Sequence, residues 1–237
     1  MAVYLCHEQP DLYEHEASVV DAEPGRVVLD RSALHPGGGG QVSDVGWVDH
    51  AGGTVAVVGI ETVDDAVWHL LGEPLELSGA VRVRVDADHR SRVAQLHTDS
   101  HILNALVYDR FPGTLVTGAQ INADGTGRMD FDLTEIDNDV LRGLDAGVND
   151  VIRGGLDVRS VYVDASDVEV VAGLVRSLSV APPPTPDGQL RIIDIDGVDR
   201  QACGGTHLSN TGQSRPFRIT KVESKGKRNR RIRFVLE

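Results

Sequence analysis

Two pairs of metal-binding side chains, about a hundred residues apart, constrain this fold more than any other feature of the sequence. His97 and His101 are four residues apart, and so are Cys203 and His207. On an α-helix that spacing places both side chains on one face, about one turn apart. Thiolate and imidazole are donors that zinc prefers. The set therefore predicts one divalent-metal site, with Zn²⁺ as the expected ion, and a fold that brings the two pairs together.

Each pair alone also has an ordinary explanation. Two histidines can be polar residues on a partly exposed helix face, and Cys203 can be a small buried apolar residue. However, the surrounding sequence QACGGTHLS is rich in glycine, so the backbone can curl and aim Cys203 and His207 at one point. A structural zinc has four protein ligands, whereas a catalytic zinc keeps an open position. The sequence leaves open which of these two kinds of site is present.

The remaining pattern predicts an α+β protein with two domains. Residues 1–90 contain short β-branched segments separated by Gly, Asp and Pro, which favours a small β-barrel because closure removes exposed sheet edges. Residues 91–237 alternate helical and strand patterns, which indicates an α+β two-layer domain with an antiparallel sheet and a metal-bearing helix. The predicted strands of the barrel include Arg26–Leu29, Val55–Ile60, Val67–Leu71 and Val81–Val85.

The second domain has three predicted helices and at least three predicted strands. The first helix covers residues 91–111, and the second begins at the capping-box pattern Asp132-x-x-Glu135 and ends at Gly154-Gly155. The third is expected from Ser166 to about Leu178. The predicted strands are Leu190–Ile195, Phe217–Val222 and Arg231–Leu236, and the last two are joined by a glycine-containing hairpin tip.

A glycine-rich segment, His35-Pro-Gly-Gly-Gly-Gly-Gln41, lies in the first domain and is followed by Asp44-x-Gly46. Consecutive glycines let a ligand approach the backbone and expose amide donors. Gln41 adds a neutral donor and acceptor that can orient an ester or a ribose hydroxyl. The segment is not a P-loop, since no G-K-[ST] follows it. Taken alone, it could equally be a flexible loop.

The charge is distributed unevenly along the chain. The net charge is −13, yet residues 215–233 hold nine of the 23 basic residues, so residues 1–214, with 14 basic and 34 acidic residues, carry −20. This asymmetry indicates a local phosphate-binding face, although a solvated hairpin tip is the common meaning of such a run. We find no signal-peptide pattern and no apolar run of about 18 residues. With only two cysteines, we expect a cytoplasmic protein without a membrane segment.

The motifs H-T-x-x-H and C-x-G-T-H, with G-G-G-Q and D-x-G upstream, resemble those of the AlaX-type alanyl-tRNA editing proteins. These are free-standing relatives of the alanyl-tRNA synthetase editing domain, within the superfamily of the second additional domain of threonyl- and alanyl-tRNA synthetases. The likeness runs from Leu12-Tyr13 through His69 to the terminal RPFRITKVESKGKRNRRIRF, and so covers essentially the whole chain.

The resemblance implies a zinc-dependent deacylase that acts in trans on mischarged tRNA, of the Ser- or Gly-tRNA(Ala) type. It implies that His97, His101, Cys203 and His207 hold the zinc, and that Gln41 and Thr98 lie near the aminoacyl group as catalytic residues. Residues expected to contact the substrate are Gly38, Gly39, Gly40, Asp99, Gly205 and Thr206. Residues expected to contact the acceptor stem of aminoacyl-tRNA are Lys225, Lys227, Arg228, Arg230 and Arg231.

Two departures from the family pattern concern the substrate. Asp99-Ser100 stands where small or apolar residues are more usual, and Leu34-His35 stands where an aromatic pair is usual. One alternative is therefore a deacylase for threonyl-type or non-proteinogenic aminoacyl-tRNA, such as fluorothreonyl-tRNA. Another, of a different class, is a tRNA-binding module with a structural zinc. The sequence does not indicate an oligomeric state.

Overall fold

The computed structural model describes residues 3–64, 66–134, 138–167, 174–177, 185, 187–226 and 228–237. The chain forms two compact units. The first consists of Met1–Gly38 and Val42–Ser91, and the second of Gly39–Gln41 and Arg92–Glu237. The second unit is thus discontinuous in sequence, because three residues of the glycine-rich segment belong to it.

The first unit is built around a closed barrel of six antiparallel strands in the order β2-β3-β7-β6-β5-β8. Alternate residues of each strand point inward, as along β8, where Val81, Val83 and Val85 are buried. The elements are β1 Val3–Tyr4, α1 Leu5–Glu8, β2 Glu14–Glu23, β3 Arg26–Leu29, β4 Arg31–Ser32, β5 Gly46–His50, β6 Gly53–Val63, β7 Ala66–Leu71 and β8 Ala80–Val85.

The Asp44-x-Gly46 motif has a structural role in this unit. Asp44 is fully buried and forms an ion pair with Arg90, whose Nε lies 2.9 Å from Oδ2 and 3.0 Å from Oδ1. The same carboxylate accepts a hydrogen bond from the His35 backbone N–H at 2.6 Å. At Gly46, a Cβ atom would lie 2.1 Å from the carbonyl oxygen of Arg84, so the close approach of β5 and β8 requires glycine.

The second unit contains two antiparallel sheets, ordered β14-β15-β10-β9 and β11-β12-β13. The helix α2 begins within the stretch counted with the first unit and continues through the second. The elements are α2 Ala87–Arg110, β9 Val116–Ile121, β10 Thr126–Asp132, α3 Asn138–Arg142, α4 Leu144–Gly154, β11 Val158–Asp164, β12 Gln189–Ile195, β13 Asp199–Ala202, a 3₁₀ turn Thr211–Gln213, β14 Phe217–Ser224 and β15 Asn229–Leu236.

Helix α2 is buried on all sides along its middle. Every residue from 93 to 105 is buried, including polar ones such as Gln95, Thr98 and Asn104. A helix surrounded in this way has no solvent face, and its polar groups must find partners inside the protein. This is the helix that carries His97 and His101.

The predicted fold class is confirmed: an N-terminal six-stranded barrel precedes further antiparallel sheets and helices. The second predicted helix differs in detail, because Asp132 ends strand β10 and Gly143 separates α3 from α4. That helix does end as expected, with Gly155 in the left-handed conformation at φ 61°. Of the predicted third helix, residues 168–173 and Leu178 lie outside the described residues. Among the described residues, no helix combines the length and apolarity needed to cross a bilayer.

Candidate metal centre

The structure brings the two predicted pairs together at one point. His97 and His101 project from α2, and Cys203 and His207 lie on the loop after β13. Their four donor atoms all lie within 4.8 Å of one another. The Sγ of Cys203 is 3.4 Å from Nε2 of His97 and 3.3 Å from Nε2 of His207. Tetrahedral zinc, with bonds of about 2.3 Å to sulfur and about 2.0 Å to nitrogen, separates such donors by about 3.5 Å, so the set fits one zinc ion.

The three histidines share one arrangement, in which Nδ1 contacts another side chain and Nε2 is left for an ion. These contacts are His97 Nδ1 to Gln41 Oε1 at 2.7 Å, His101 Nδ1 to Asp199 Oδ2 at 3.0 Å and His207 Nδ1 to Thr98 Oγ1 at 3.3 Å. Partners of this kind set the tautomer and the orientation of a ligating imidazole. The donor chemistry and its outer partners therefore both suit a divalent metal.

Asp199, which sequence reasoning missed, is the only charged member of these three outer partners. It is 4% exposed, and besides His101 it accepts hydrogen bonds from Gln201 Nε2 at 3.0 and 3.1 Å and from Arg176 at 3.1 Å. Asp199, Gln201 and Cys203 alternate in the sequence, which places side chains on one face of a strand. That alternation is the signal that could have identified Asp199.

Gln41 links the short segment of the second unit to the candidate metal ligands. Its Oε1 accepts hydrogen bonds from His97 Nδ1 and from the Thr206 backbone N–H at 3.0 Å, while its Nε2 donates to Thr206 Oγ1 at 3.0 Å. Gly205 makes this packing possible, because a Cβ atom there would lie 2.1 Å from Cε1 of His97 and 2.6 Å from Oε1 of Gln41. The structure thus places Gln41, Gly205 and Thr206 beside His97, the first of the four candidate ligands.

Two further residues shape the loop that carries Cys203. Thr98 is fully buried and its Oγ1 accepts a hydrogen bond from the Leu208 backbone N–H at 3.1 Å. Arg191, a second residue that sequence reasoning missed, donates from one guanidinium nitrogen to the carbonyl oxygens of Cys203 at 2.8 Å and Gly205 at 2.9 Å. The loop is therefore held from both α2 and β12.

The electrostatics of the cluster favour binding of a cation. Burial opposes ionisation of the Cys203 thiol, but the neighbouring His97 and His207 outweigh it and hold its pKa well below the usual range. Burial also lowers the pKa of His101, yet its hydrogen bonds to Asp199 and Cys203 reverse this and raise the pKa to about 10. The pKa of His207 is well below its usual value, chiefly through burial. A thiolate beside a proton-holding imidazole is a site where a metal cation can replace that proton.

The other predicted substrate residues have different surroundings. Asp99 is fully buried, and its Oδ2 accepts a hydrogen bond from Ser214 at 2.8 Å, while burial raises its pKa to about 8. Gly38 and Gly39 have positive φ of 108° and 63°, with open space where a Cβ would stand. At Gly40, with φ of 92°, a Cβ would lie 2.7 Å from the carbonyl oxygen of Ala119. Substrate contacts at these residues stay a prediction.

The predicted tRNA-binding residues fall into two groups. Lys225 and Arg228 are exposed at the tip of the β14–β15 hairpin, whereas Arg230 and Arg231 are partly buried. Arg231 donates to Asp130 at 2.6 and 2.7 Å, so its charge already has a partner. Lys227 lies outside the described residues.

Comparison with known proteins gives a family for this chain. The family model described as "Threonyl and Alanyl tRNA synthetase second additional domain" matches residues 190–233. Alanyl-tRNA editing protein AlaX-M of Saccharolobus solfataricus is 31% identical over 94% of each chain, and AlaX-M of Methanosarcina acetivorans is 34% identical over 95% of each. Alanine--tRNA ligase of Korarchaeum cryptofilum is 34% identical over 92% of this chain and 24% of its own. The chain belongs to the AlaX family of alanyl-tRNA editing proteins.

Proposed function

We propose that the protein edits aminoacyl-tRNA in trans, hydrolysing the ester of alanine tRNA that is mischarged with serine or glycine, with zinc as its cofactor. The observation that carries this proposal is the set of four donor atoms within 4.8 Å, with each imidazole held through Nδ1. The names of its relatives support the substrate class, since they are an alanyl-tRNA editing protein and an alanine--tRNA ligase.

His97, His101, Cys203 and His207 would hold the zinc. When bound, zinc supplies Lewis-acid chemistry that polarises a carbonyl and makes water more acidic. An aminoacyl ester is already an activated acyl group, so a separate nucleophile and base are not required. The part left to the protein is to hold the metal firmly and to admit the ester on one side.

His207 marks the side on which we propose that the ester enters. The other three donor residues are between 5% and 8% exposed, whereas His207 is more exposed. His207 also has the longest Nδ1 contact of the three histidines, 3.3 Å to a neutral hydroxyl, while His101 is held by a carboxylate. Because catalysis needs an open coordination position, His207 is the donor whose place can be shared most easily.

Gln41 and Thr98 have positioning roles in this proposal, because each holds a metal-ligating ring and a backbone N–H of the Cys203 loop. Direct contact of either residue with the aminoacyl group stays a prediction. Backbone N–H groups of Gly39 and Gly40, which precede Gln41 in the same unit, are the proposed donors to the oxyanion that develops during hydrolysis.

The test is a panel of seryl-, glycyl-, alanyl-, threonyl- and fluorothreonyl-tRNAs, incubated with zinc-loaded protein while ester loss is followed. We expect loss of the seryl or glycyl ester and retention of the alanyl ester. Faster hydrolysis of threonyl- or fluorothreonyl-tRNA would show that the substrate is a threonyl-type aminoacyl-tRNA and not the proposed seryl or glycyl ester. Zinc retention and tRNA binding without hydrolysis of any member would favour a tRNA-binding module with structural zinc.

The assignment of His101 as a zinc ligand is tested by one variant and one control. His101→Ala should release zinc, measured by elemental analysis, and abolish hydrolysis. His50→Ala changes a histidine of strand β5 that is not part of the cluster and should retain both. Full zinc retention in His101→Ala would contradict the proposed ligand set.

A further inference from the structure

The outward face of the β14-β15-β10-β9 sheet carries six charged residues in two adjacent rows, here called the charge ladder. In the first row, Lys221 lies opposite Arg233, which lies opposite Arg128. In the second row, Glu223 lies opposite Arg231, which lies opposite Asp130. Both rows cross the same three strands, two residues apart, so all six side chains share one face of the sheet.

The first row is composed entirely of cations. Like charges directly opposite each other on neighbouring strands are destabilising by themselves. Two interstrand spacings separate Lys221 from Arg128, about 10 Å in total. The side chains of Lys221 and Arg233 are 62% and 44% exposed and that of Arg128 is 26% exposed, so solvent reaches all three cations. Such an arrangement is suited to a partner that presents negative charges at a regular spacing.

The two carboxylates of the second row each hold two cations. Glu223 accepts from Arg233 Nε at 2.8 Å and lies 2.9 Å from the Nζ of Lys221. Hydrogen bonds from Arg233 and Lys221 lower the pKa of Glu223 to about 2, so it is ionised at neutral pH. Asp130 accepts from both Arg231 and Arg128, with distances between 2.6 and 2.7 Å. Two acids against four bases leave the ladder with a charge of +2.

Three other exposed arginines of the same unit are paired differently. Arg142, Arg153 and Arg159 each form an ion pair with one aspartate two or three residues away. The ladder thus differs from these one-to-one pairs by its excess of cations, and it lies on a chain whose first 214 residues carry −20. The exposed tip residues Lys225 and Arg228 continue the positive surface along the same hairpin.

We propose that the charge ladder binds the phosphate backbone of the tRNA substrate, with Lys221, Arg233 and Arg128 contacting successive phosphates. This inference rests on the proposed function. Glu223 and Asp130 hold the guanidinium groups in fixed positions for phosphate contact, but their negative charges weaken the binding of tRNA. RNA fits better than a lipid surface because the flanking residues Gln120, Thr126 and Asn229 are polar, and the flanking Val235 is partly buried. Among the described residues of this sheet, no large apolar side chain is exposed for insertion into a bilayer. Arginine forks match phosphate oxygens through paired hydrogen bonds.

The test measures binding of uncharged tRNA by fluorescence anisotropy over a salt series. The triple variant Lys221→Gln, Arg233→Gln, Arg128→Gln should bind more weakly, and its log–log salt slope should fall by roughly 2 to 3, about 0.7–0.9 for each phosphate that is no longer neutralised. The matched control Arg142→Gln, Arg153→Gln, Arg159→Gln removes the same charge from one-to-one pairs and should leave the slope within about 0.5 of the original. Equal slopes for the two triples would overturn the proposal.

Glu223→Gln keeps the test decisive if the triple variant fails to fold. It removes a partly buried carboxylate and releases two cations, so tRNA should bind more tightly and with a steeper salt slope. Unchanged or weaker binding would contradict the inference, as would ladder-dependent binding of anionic phospholipid vesicles in place of tRNA. Because the ligand is uncharged tRNA, the result is independent of ester hydrolysis. If the unmodified protein hydrolyses the ester but the ladder variants bind tRNA as it does, only the proposed binding surface is wrong. If the ladder variants change tRNA binding but no ester is hydrolysed, only the proposed activity is wrong.

Discussion

The carboxylate of Asp199 accepts a hydrogen bond from Nδ1 of His101 at 3.0 Å, and both groups are buried. An anion behind a ligating imidazole fixes its orientation and strengthens it as a donor. The other two histidines have neutral partners, Gln41 and Thr98. His101 is therefore the most firmly held imidazole of the cluster.

Asp199→Asn should lower the affinity for zinc by about 10- to 100-fold, because the amide cannot supply the negative charge behind His101. Competition with a chromophoric chelator measures this directly. Asp194→Asn is the matched control, since Asp194 lies on the adjacent strand and pairs with Arg200 at 3.6 Å. Equal zinc affinity in the two variants would show that Asp199 has only a packing role.

Gly205→Ala should disrupt the metal centre although it adds a single methyl group. The new Cβ would lie 2.1 Å from Cε1 of His97, so the ring must move away from Gln41. We expect a loss of zinc affinity of at least about tenfold, as for removal of an outer partner. Gly143→Ala is the control, because a Cβ there meets its neighbours at 3.7 Å and φ is −73°. Retention of zinc by both variants would refute this requirement for glycine.

His69 should make the barrel less stable as the pH falls. It is fully buried, its Nε2 lies 2.8 Å from Ser32 Oγ, and burial lowers its pKa from 6.5 to about 4. The unfolded chain binds a proton below about pH 6.5 and the folded chain only below about pH 4. The stability contributed by the neutral ring is therefore complete above pH 6.5 and lost as the pH falls towards 4, by roughly 3 kcal/mol.

Urea denaturation of His69→Gln and of the unmodified protein at pH 7.5, 6, 5 and 4.5 tests this expectation. The variant should lose less free energy of unfolding over that range, because glutamine does not titrate. His15, whose pKa is also lowered by burial, is present in both proteins, so its own titration does not explain a difference between them. Parallel pH profiles for the two proteins would exclude His69 as the cause.

Removal of one charge from the buried Asp44–Arg90 ion pair should strongly reduce the stability of the protein. Asp44→Asn leaves the Arg90 guanidinium, which is 2% exposed, without its counter-ion, and we expect a loss of about 3–5 kcal/mol in the free energy of unfolding. Asp49→Asn is the control, because Asp49 pairs with Arg84 at 2.9 Å on the barrel surface and should change stability by less than about 1 kcal/mol. Similar losses in the two variants would show that burial does not decide the cost of this pair.

Local patterns were sufficient to predict the clustering of His97, His101, Cys203 and His207 and much of the barrel. The four-residue spacing within each pair indicates that its two side chains can reach one point. β-branched segments such as Val81–Val85 form the expected strands. Asp199 and Arg191 escaped prediction because their roles depend on partners about 100 and 12–14 residues away. The pairing of Arg231 with Asp130 likewise depends on the register of two strands distant in sequence. Such contacts are set by tertiary packing, which a single sequence does not display.

The discontinuity of the second unit has a consequence for any attempt to isolate the metal centre. A fragment that starts at Arg92 retains all four donors but lacks the Gly39–Gln41 segment. In such a fragment the His97 ring and the Thr206 backbone N–H would both lose their hydrogen-bond partner, Oε1 of Gln41. The fragment should therefore bind metal more weakly than the intact chain. Addition of a peptide that contains Gln41 should restore that affinity.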